Sequence, residues 1–103
     1  KDVFLNITGG FKVKDPAIDL SIICAILSSF FDFYINPTIC FIGELGLSGE
    51  IRPVSRINER INEVTKMGVK TIFISKYSKI KSLKEFKIHR VGKIQEIIEQ
   101  LFN

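Results

Sequence analysis

The chain has 103 residues and a formal net charge of +4, and 46% of its residues are hydrophobic and 25% charged. This composition excludes a disordered tail and a fibrous repeat, and we expect one domain with one core over residues 1–103. No uncharged apolar run reaches the roughly 18 residues of a membrane span, and no segment resembles a secretory signal, so we expect a cytoplasmic protein.

The N-terminal third predicts a strand followed by a helix. Residues 3–13 are rich in β-forming side chains with two glycines in the middle, which indicates a bent or bulged strand. Asp15 and Pro16 form a helix start, because the Asp side chain can accept a hydrogen bond from a free backbone N–H and proline has none to leave unpaired. We expect this helix to continue to about Phe33 and to be buried on nearly every side, since apolar residues occupy most of its circumference.

The middle of the chain predicts two strands and a second helix. Residues 38–42 have the composition of a buried strand, and three glycines then break the chain into tight turns and a short strand around Ile51. Ser55 is expected to cap a helix, and Gly68 is expected to end it. The apolar face of that helix is expected to consist of Ile57, Ile61 and Val64.

The last third predicts two strands and a third helix. The strands are expected at residues 70–74 and 87–91, with a basic loop or short helix from Tyr77 to Glu85 between them. The helix is expected to bury Ile94, Ile97, Ile98 and Leu101. Taken together, the element order predicts an α+β (mixed α/β) domain in which helices pack on a sheet.

Charge is distributed unevenly along the chain. Between Lys66 and Lys93 there are nine basic residues and one acidic residue, Glu85, whereas the rest of the chain has six basic and ten acidic residues. Such polarity indicates a basic face for an anionic partner. The competing interpretation is that these lysines are ordinary solvated surface.

Few residues are of the types that carry out catalysis. Cys24 and Cys40 lie in apolar runs with no Cys-x-x-Cys pair, which indicates free, buried thiols in a reducing compartment. The lone His89 lies in a strand-like run, where histidine is more often structural than catalytic. The chain has no glycine-rich loop of the kind that holds ATP phosphates. Three serines of the first helix lack an adjacent base, namely Ser21, Ser28 and Ser29.

One stretch of the sequence is a more specific indicator of function than these single residues. Residues 43–54 read G-E-L-G-L-S-G-E-I-R-P-V and are followed by S-R-I-N-E-R. This stretch resembles the Lon proteolytic domain, in which it reads approximately T-G-E-x-x-L-x-G-x-V-L-P-I-G-G-L-K-E-K. Residues 66–74 are similar to that family's A-G-I-K-T-V-I-I-P, and residues 14–19 to its K-D-G-P-S-A-G with one residue fewer. The resemblance implies a Lon-type fold, similar to the second domain of a ribosomal small-subunit protein.

The Lon family uses a Ser-Lys dyad, in which a lysine of lowered pKa activates the serine. The alignment places Ala17 at the serine and Asn58 at the lysine. Shifting the first alignment by one residue places Ile18 there, which is equally inert. We therefore expect no catalytic residues and no peptidase activity.

With these departures from the Lon pattern, the sequence resembles the C-terminal domain of the RadA/Sms family of DNA repair ATPases. That family's motifs D-V-F-x-N, G-G, P-A-x-D-L, G-E-x-G-L-x-G-E-I-R-P-V and E-R match residues 2–60 of this chain. The resemblance implies a larger parent protein with a zinc motif and a RecA-like ATPase, forming a hexameric ring that drives branch migration. ATP, Mg and Zn are thus expected in the parent, whereas no cofactor or metal is expected in this fragment.

The partner implied by the resemblance is DNA, single-stranded or branched, together with further copies of the same protein and no membrane. Arg52 stands where the proteases have a leucine and Arg56 where they have a glycine, so positive charge has been added. We expect weak, non-specific, salt-dependent binding to phosphates without a recognition helix or aromatic stacking platform. The DNA-binding candidates are Arg52, Arg56, Arg60, Lys66, Lys76, Lys79 and Lys81. The alternatives are an assembly or partner-docking scaffold and, less favoured, a Ser-Lys peptidase.

Overall fold

A computed structural model describes residues 16–81 and 87–101. The strand predicted within residues 3–13 and the predicted cap at Asp15 lie outside the described residues. The described elements, in chain order, are a 3-10 turn Pro16–Ile18, α1 Asp19–Phe30, β1 Ile39–Ile42, β2 Glu44–Leu45, β3 Ile51–Arg52, α2 Ile57–Thr65, β4 Thr71–Ser75, β5 Lys87–Val91 and α3 Ile94–Leu101. None of the helices in this part of the chain is long and apolar enough to cross a membrane.

Three of these strands form a parallel sheet in the order β1-β4-β5. Phe41 of β1 lies opposite Phe73 of β4, which lies opposite His89 of β5. The two short strands β2 and β3 form an antiparallel hairpin in which Glu44 is opposite Arg52. The prediction of an α+β domain is confirmed, and the short strand predicted around Ile51 is β3, with the addition of its partner β2.

The two faces of the sheet bury different helices, because successive strand residues point to opposite sides. One face carries Phe41, Phe73 and Val91 and packs against residues of α1 and α3 such as Leu20 and Ile97. The other face packs against α2 through Ile42, Ile72 and Ile74, which share a cluster with Ile57 and Ile61. The sheet is therefore the middle of three layers.

An aromatic stack runs across the first face. The ring centroids of Phe41 and Phe73 are 5.2 Å apart, and those of Phe73 and His89 are 4.6 Å apart with nearly parallel planes. Such pairs contribute about 0.5–1.5 kcal/mol beyond the burial of their surface. The lone histidine therefore has a packing role, as its sequence context indicated.

The first helix is not buried on every side, so that prediction was wrong. Its buried residues, Leu20, Ile23, Cys24 and Leu27, recur every three or four positions and form a single stripe facing the sheet. One sheet face can cover only one side of a helix. The helix also ends at Phe30 rather than Phe33, and it begins at Asp19, after the 3-10 turn that Pro16 starts.

The second helix ends as predicted but begins differently. Gly68 has a φ of +91°, a conformation that suits glycine after the last turn. At the other end, Arg56 rather than Ser55 is the N-cap residue, and it makes no side-chain capping hydrogen bond. The chain enters the helix through a left-handed Arg56, with φ +57° and ψ 39°, so the prediction of a serine cap was wrong.

Both cysteines are free, and their placement follows from packing. Cys24 lies in the buried stripe of α1, and burial raises the pKa of its thiol to about 12. Cys40 on β1 is half-buried, and partial burial raises the pKa of its thiol as well. Both groups are therefore protonated at neutral pH.

Candidate nucleic-acid interface

The position aligned with the catalytic serine of Lon is part of the core. Ala17 is 3% exposed and belongs to the apolar cluster beneath α2. Its carbonyl oxygen accepts a hydrogen bond of 3.1 Å from the backbone N–H of Gly43, and the N–H of Leu20 donates to the carbonyl of Gly43. The residue therefore fixes the start of α1 to the chain just after β1, and its methyl group offers no nucleophile.

The position aligned with the catalytic lysine has acquired a different contact. The side-chain Oδ1 of Asn58 accepts a hydrogen bond of 3.2 Å from the backbone N–H of Lys81. This contact joins the first turn of α2 to residues 76–81, which we call the basic loop because they contain Lys76, Lys79 and Lys81. The amide oxygen of Asn58 thus holds the basic loop beside α2.

Arg56 is engaged by a carboxylate. Its Nε and one Nη donate to the two carboxylate oxygens of Glu59, each at 2.9 Å. These hydrogen bonds raise the pKa of Arg56 and lower that of Glu59, with the attraction of opposite charges as the second cause. The left-handed backbone of Arg56 also agrees with the resemblance, because Lon has glycine here and glycine adopts this conformation without strain.

The exposed side of α2 forms a groove of mixed charge. It has a volume of ≈ 330 Å³ and is lined by Arg56, Glu59, Arg60 and Glu63. The Nε of Arg60 donates to the carbonyl oxygen of Ser55 at 2.8 Å. Two carboxylates accompany the two guanidinium groups, so a phosphate entering this groove has to compete with Glu59 for Arg56.

Two more predicted DNA-binding residues are paired with acids. Arg52 on β3 contacts Glu50 at 2.6 Å, and this hydrogen bond lowers the pKa of the Glu50 carboxyl. Lys66 lies 3.6 Å from Glu63 at the end of α2. A helix rises 1.5 Å per residue, which puts Lys66 about 15 Å from Arg56. The seven candidates therefore do not form one cluster.

The basic loop differs from these positions. Lys76, Lys79 and Lys81 are exposed, and among residues 16–81 and 87–101 none of the three is in an ion pair with a carboxylate. The loop leaves the sheet at Ser75, the last residue of β4, and reaches α2 at Asn58. The loop is therefore anchored at both ends, and its three lysines are in no ion pair among the described residues.

The sheet topology brings another basic residue, Lys93, to the same edge of the sheet as the basic loop. The backbone N–H of Lys76 donates to the carbonyl of Val91, and a Cβ on Gly92 would lie 3.2 Å from the Nζ of Lys76. The next residue, Lys93, is bridged to Glu50, two residues before Arg52. Lys93 was not among the candidates, and it could have been found from the rule that the carboxyl ends of parallel strands share one edge.

Comparison with known proteins agrees with the motifs. A family model described as subunit ChlI of Mg-chelatase matches residues 1–78. A protein named DNA repair protein RadA from Streptococcus pneumoniae is 46% identical over 104 residues, covering 99% of this chain and 25% of that protein. Proteins of the same name are 51% identical in Bacillus subtilis, covering 72% of this chain and 16% of that protein, and 41% identical in Helicobacter pylori, covering 92% and 21%.

The chain thus spans a quarter or less of the length of these relatives. Identity of 41–51% over most of the chain is consistent with the RadA/Sms resemblance carried by the motifs of residues 2–60. The family model covers more than half of the chain, including the stretch similar to Lon. The chain therefore belongs to the family that the ChlI model describes and is homologous to a region of the RadA-type DNA repair proteins.

Proposed function

We propose that this domain is a non-proteolytic DNA-contact module of a larger RadA-type repair ATPase. The observation that carries the proposal is the basic loop, in which Lys76, Lys79 and Lys81 are exposed and are in no ion pair within the described part of the chain. Exposed lysines that are not held in an ion pair are well suited to contact a phosphate backbone and release its counterions. Binding is weak, independent of base sequence and steeply dependent on salt.

The remaining candidates contribute less to binding in this proposal. Arg52, Arg56 and Lys66 each lie beside a carboxylate, so a phosphate gains only the difference between two similar ion pairs. Arg60 is held toward the Ser55 carbonyl and borders the mixed-charge groove. The order of importance is therefore the basic loop first and the α2 arginines second.

The salt dependence of DNA affinity tests this proposal. If the three loop lysines each neutralise one phosphate of duplex DNA, the slope of log K against log salt is about −2.7, from roughly −0.9 per phosphate. Replacing Lys79 and Lys81 by Gln is expected to reduce that slope by about two units. Fluorescence anisotropy of a labelled duplex across a salt series provides the measurement.

The chain offers a matched control. Lys70 and Lys87 are also exposed, but they lie at the amino ends of β4 and β5, on the opposite edge of the sheet from the basic loop. Replacing both by Gln changes the net charge by the same amount and is expected to leave the slope unchanged. Equal effects from the two double variants would show that only net charge matters and would refute a localised site.

Absence of peptidase activity is part of the same proposal. A buried methyl group occupies the serine position at Ala17, and an amide that accepts a backbone hydrogen bond occupies the lysine position at Asn58. Neither group can attack a carbonyl or take a proton from a nucleophile. Turnover of casein above background that disappears on replacing Ser21, Ser28 or Ser29 would refute this.

The parent's assembly is a second component of the proposal. Phe30, Phe31 and Tyr34 are 65%, 54% and 77% exposed near the end of α1, and exposed aromatic patches commonly mark protein contacts. This observation favours the scaffold alternative, in which copies of the parent form a hexameric ring for branch migration in the cytoplasm. ATP, Mg and Zn then bind elsewhere in the parent. Light scattering of the intact parent with these three residues changed to Ser or Thr tests it, since an unchanged hexamer would exclude this face.

A further inference from the structure

One aromatic residue stands out within the basic loop. The side chain of Tyr77 is exposed, with 66% of its surface accessible. The Nζ of Lys76 lies 5.3 Å from the centroid of its ring. An exposed aromatic ring among lysines is the combination by which proteins bind unpaired bases, because the ring stacks on a base while the cations contact the adjoining phosphates.

The backbone beneath Tyr77 is firmly held. Its N–H donates to the Oγ of Ser75 at 3.1 Å, and that buried hydroxyl donates in turn to the carbonyl of Ile51 at 3.0 Å. On the other side, the N–H of Ser78 donates to the carbonyl of Ser75. A guanidinium N–H of Arg90 donates to the carbonyl of Ser78 at 2.7 Å. Because these hydrogen bonds fix the turn that carries Tyr77, its backbone loses little conformational entropy when the ring binds a ligand.

Duplex DNA cannot use such a ring. The faces of paired bases are already covered by their neighbours in the stack, whereas a single strand offers open faces at no comparable cost. We infer that Tyr77 is a base-stacking residue that gives the basic loop a preference for single-stranded nucleic acid over duplex. The inference rests on the proposed function of the loop and adds a specificity-determining residue to it. It also revises the expectation that the chain lacks an aromatic platform.

The experiment compares four proteins, namely the unchanged chain, Tyr77→Phe, Tyr77→Leu and the control Met67→Ala. Met67 is 80% exposed and lies between α2 and β4, before the amino end of β4, whereas the basic loop follows its carboxyl end. The affinity of each is measured by fluorescence anisotropy at low salt for oligo-dU, oligo-U and a duplex of equal length. Unchanged thermal midpoints are expected for all variants because both side chains are exposed.

Tyr77→Leu is expected to weaken binding to the single strands by about tenfold, since stacking on one base is worth ~1–3 kcal/mol. Affinity for the duplex is expected to stay the same, and Tyr77→Phe and Met67→Ala are expected to bind like the unchanged chain. Quenching of a 2-aminopurine base in the single strand is expected to be lost only in Tyr77→Leu. A difference between oligo-dU and oligo-U would identify the sugar that the loop accepts, because the two strands have the same base.

Two results would overturn the inference in distinguishable ways. If the unchanged chain binds single strands and Tyr77→Leu binds them equally well, or loses single-strand and duplex binding in parallel, the ring does not stack on bases while the loop still binds phosphate. If the unchanged chain binds neither form of nucleic acid at low salt, the proposed function itself fails and the inference fails with it.

Discussion

Replacing Asn58 by alanine separates the positioning role of this residue from any role in catalysis. The change removes the Oδ1 acceptor of the Lys81 N–H, a contact of 3.2 Å between residues 23 positions apart. A hydrogen bond of this kind contributes about 1 kcal/mol net, and the partner here is near the surface, so water can replace the lost acceptor. We therefore expect a local effect on the basic loop with little change in global stability.

The expected effect on the loop can be estimated. A loss of about 1 kcal/mol corresponds to roughly a fivefold increase in the opening equilibrium of that contact, and the backbone N–H of Lys81 should exchange with deuterium faster by that factor. Asn58→Asp keeps an oxygen acceptor and is expected to preserve slow exchange. Asn62→Ala is the matched control, because Asn62 is exposed on the same helix.

Hydrogen exchange measured by NMR gives the result residue by residue, and the urea midpoint reports global stability. Exchange of the Lys81 N–H that is the same in Asn58→Ala and in the unchanged chain would refute the anchoring role. Acceleration throughout β4 and α2 would instead show that Asn58 stabilises the whole domain. Asn58→Lys restores the residue of the proteases, and we expect no peptide hydrolysis because Ala17 still provides no nucleophile.

Three further outcomes follow from the packing and the ionic contacts. Arg56→Gly is expected to unfold at higher urea than Arg56→Ala, because both lose the contact with Glu59 but only glycine relieves the left-handed backbone. Cys24, whose thiol pKa is about 12, is expected to resist iodoacetamide at pH 8 until urea unfolds the chain, and rapid alkylation of the native protein would contradict its burial. Ile61→Val is expected to lower the free energy of unfolding by about 1 kcal/mol in urea titrations, because Ile61 is 0% exposed and a smaller residue leaves a void.

Local patterns predicted much of this fold. Strand β4 and the end of α2 at Gly68 depend on the residue types within a few positions of each, so the local sequence was sufficient to predict both. The exposure of α1 could not be predicted in this way, because apolar residues cover its whole circumference and only the number of available sheet faces decides which are buried. The short strand predicted around Ile51 is present as β3, but its partner β2 was missed because a strand of two residues is too short for a period to appear.

The candidate site, like the fold, could be predicted from local sequence patterns only in part. The basic character of the loop is evident from composition, and its anchoring by Asn58 depends on a contact across 23 residues that no local pattern reports. Arg52 and Glu50 are two residues apart, yet only the structure could decide between a free and an occupied guanidinium. Charge counting therefore does not separate arginines held by carboxylates from lysines that are in no ion pair among the described residues.

Arg56 shows how the geometry of a motif can persist after its chemistry has changed. Glycine adopts a left-handed backbone conformation before a helix without strain. In this chain an arginine, Arg56, has that conformation. An unfavourable conformation persists only where surrounding structure or function favours the new side chain. Here the side chain forms two hydrogen bonds with Glu59 at the rim of the α2 groove, beside the anchor at Asn58. Arg56 thus holds the carboxylate of Glu59, and Asn58 holds the backbone of the basic loop, so the first turn of α2 fixes charged groups on both sides, as the proposed binding surface requires.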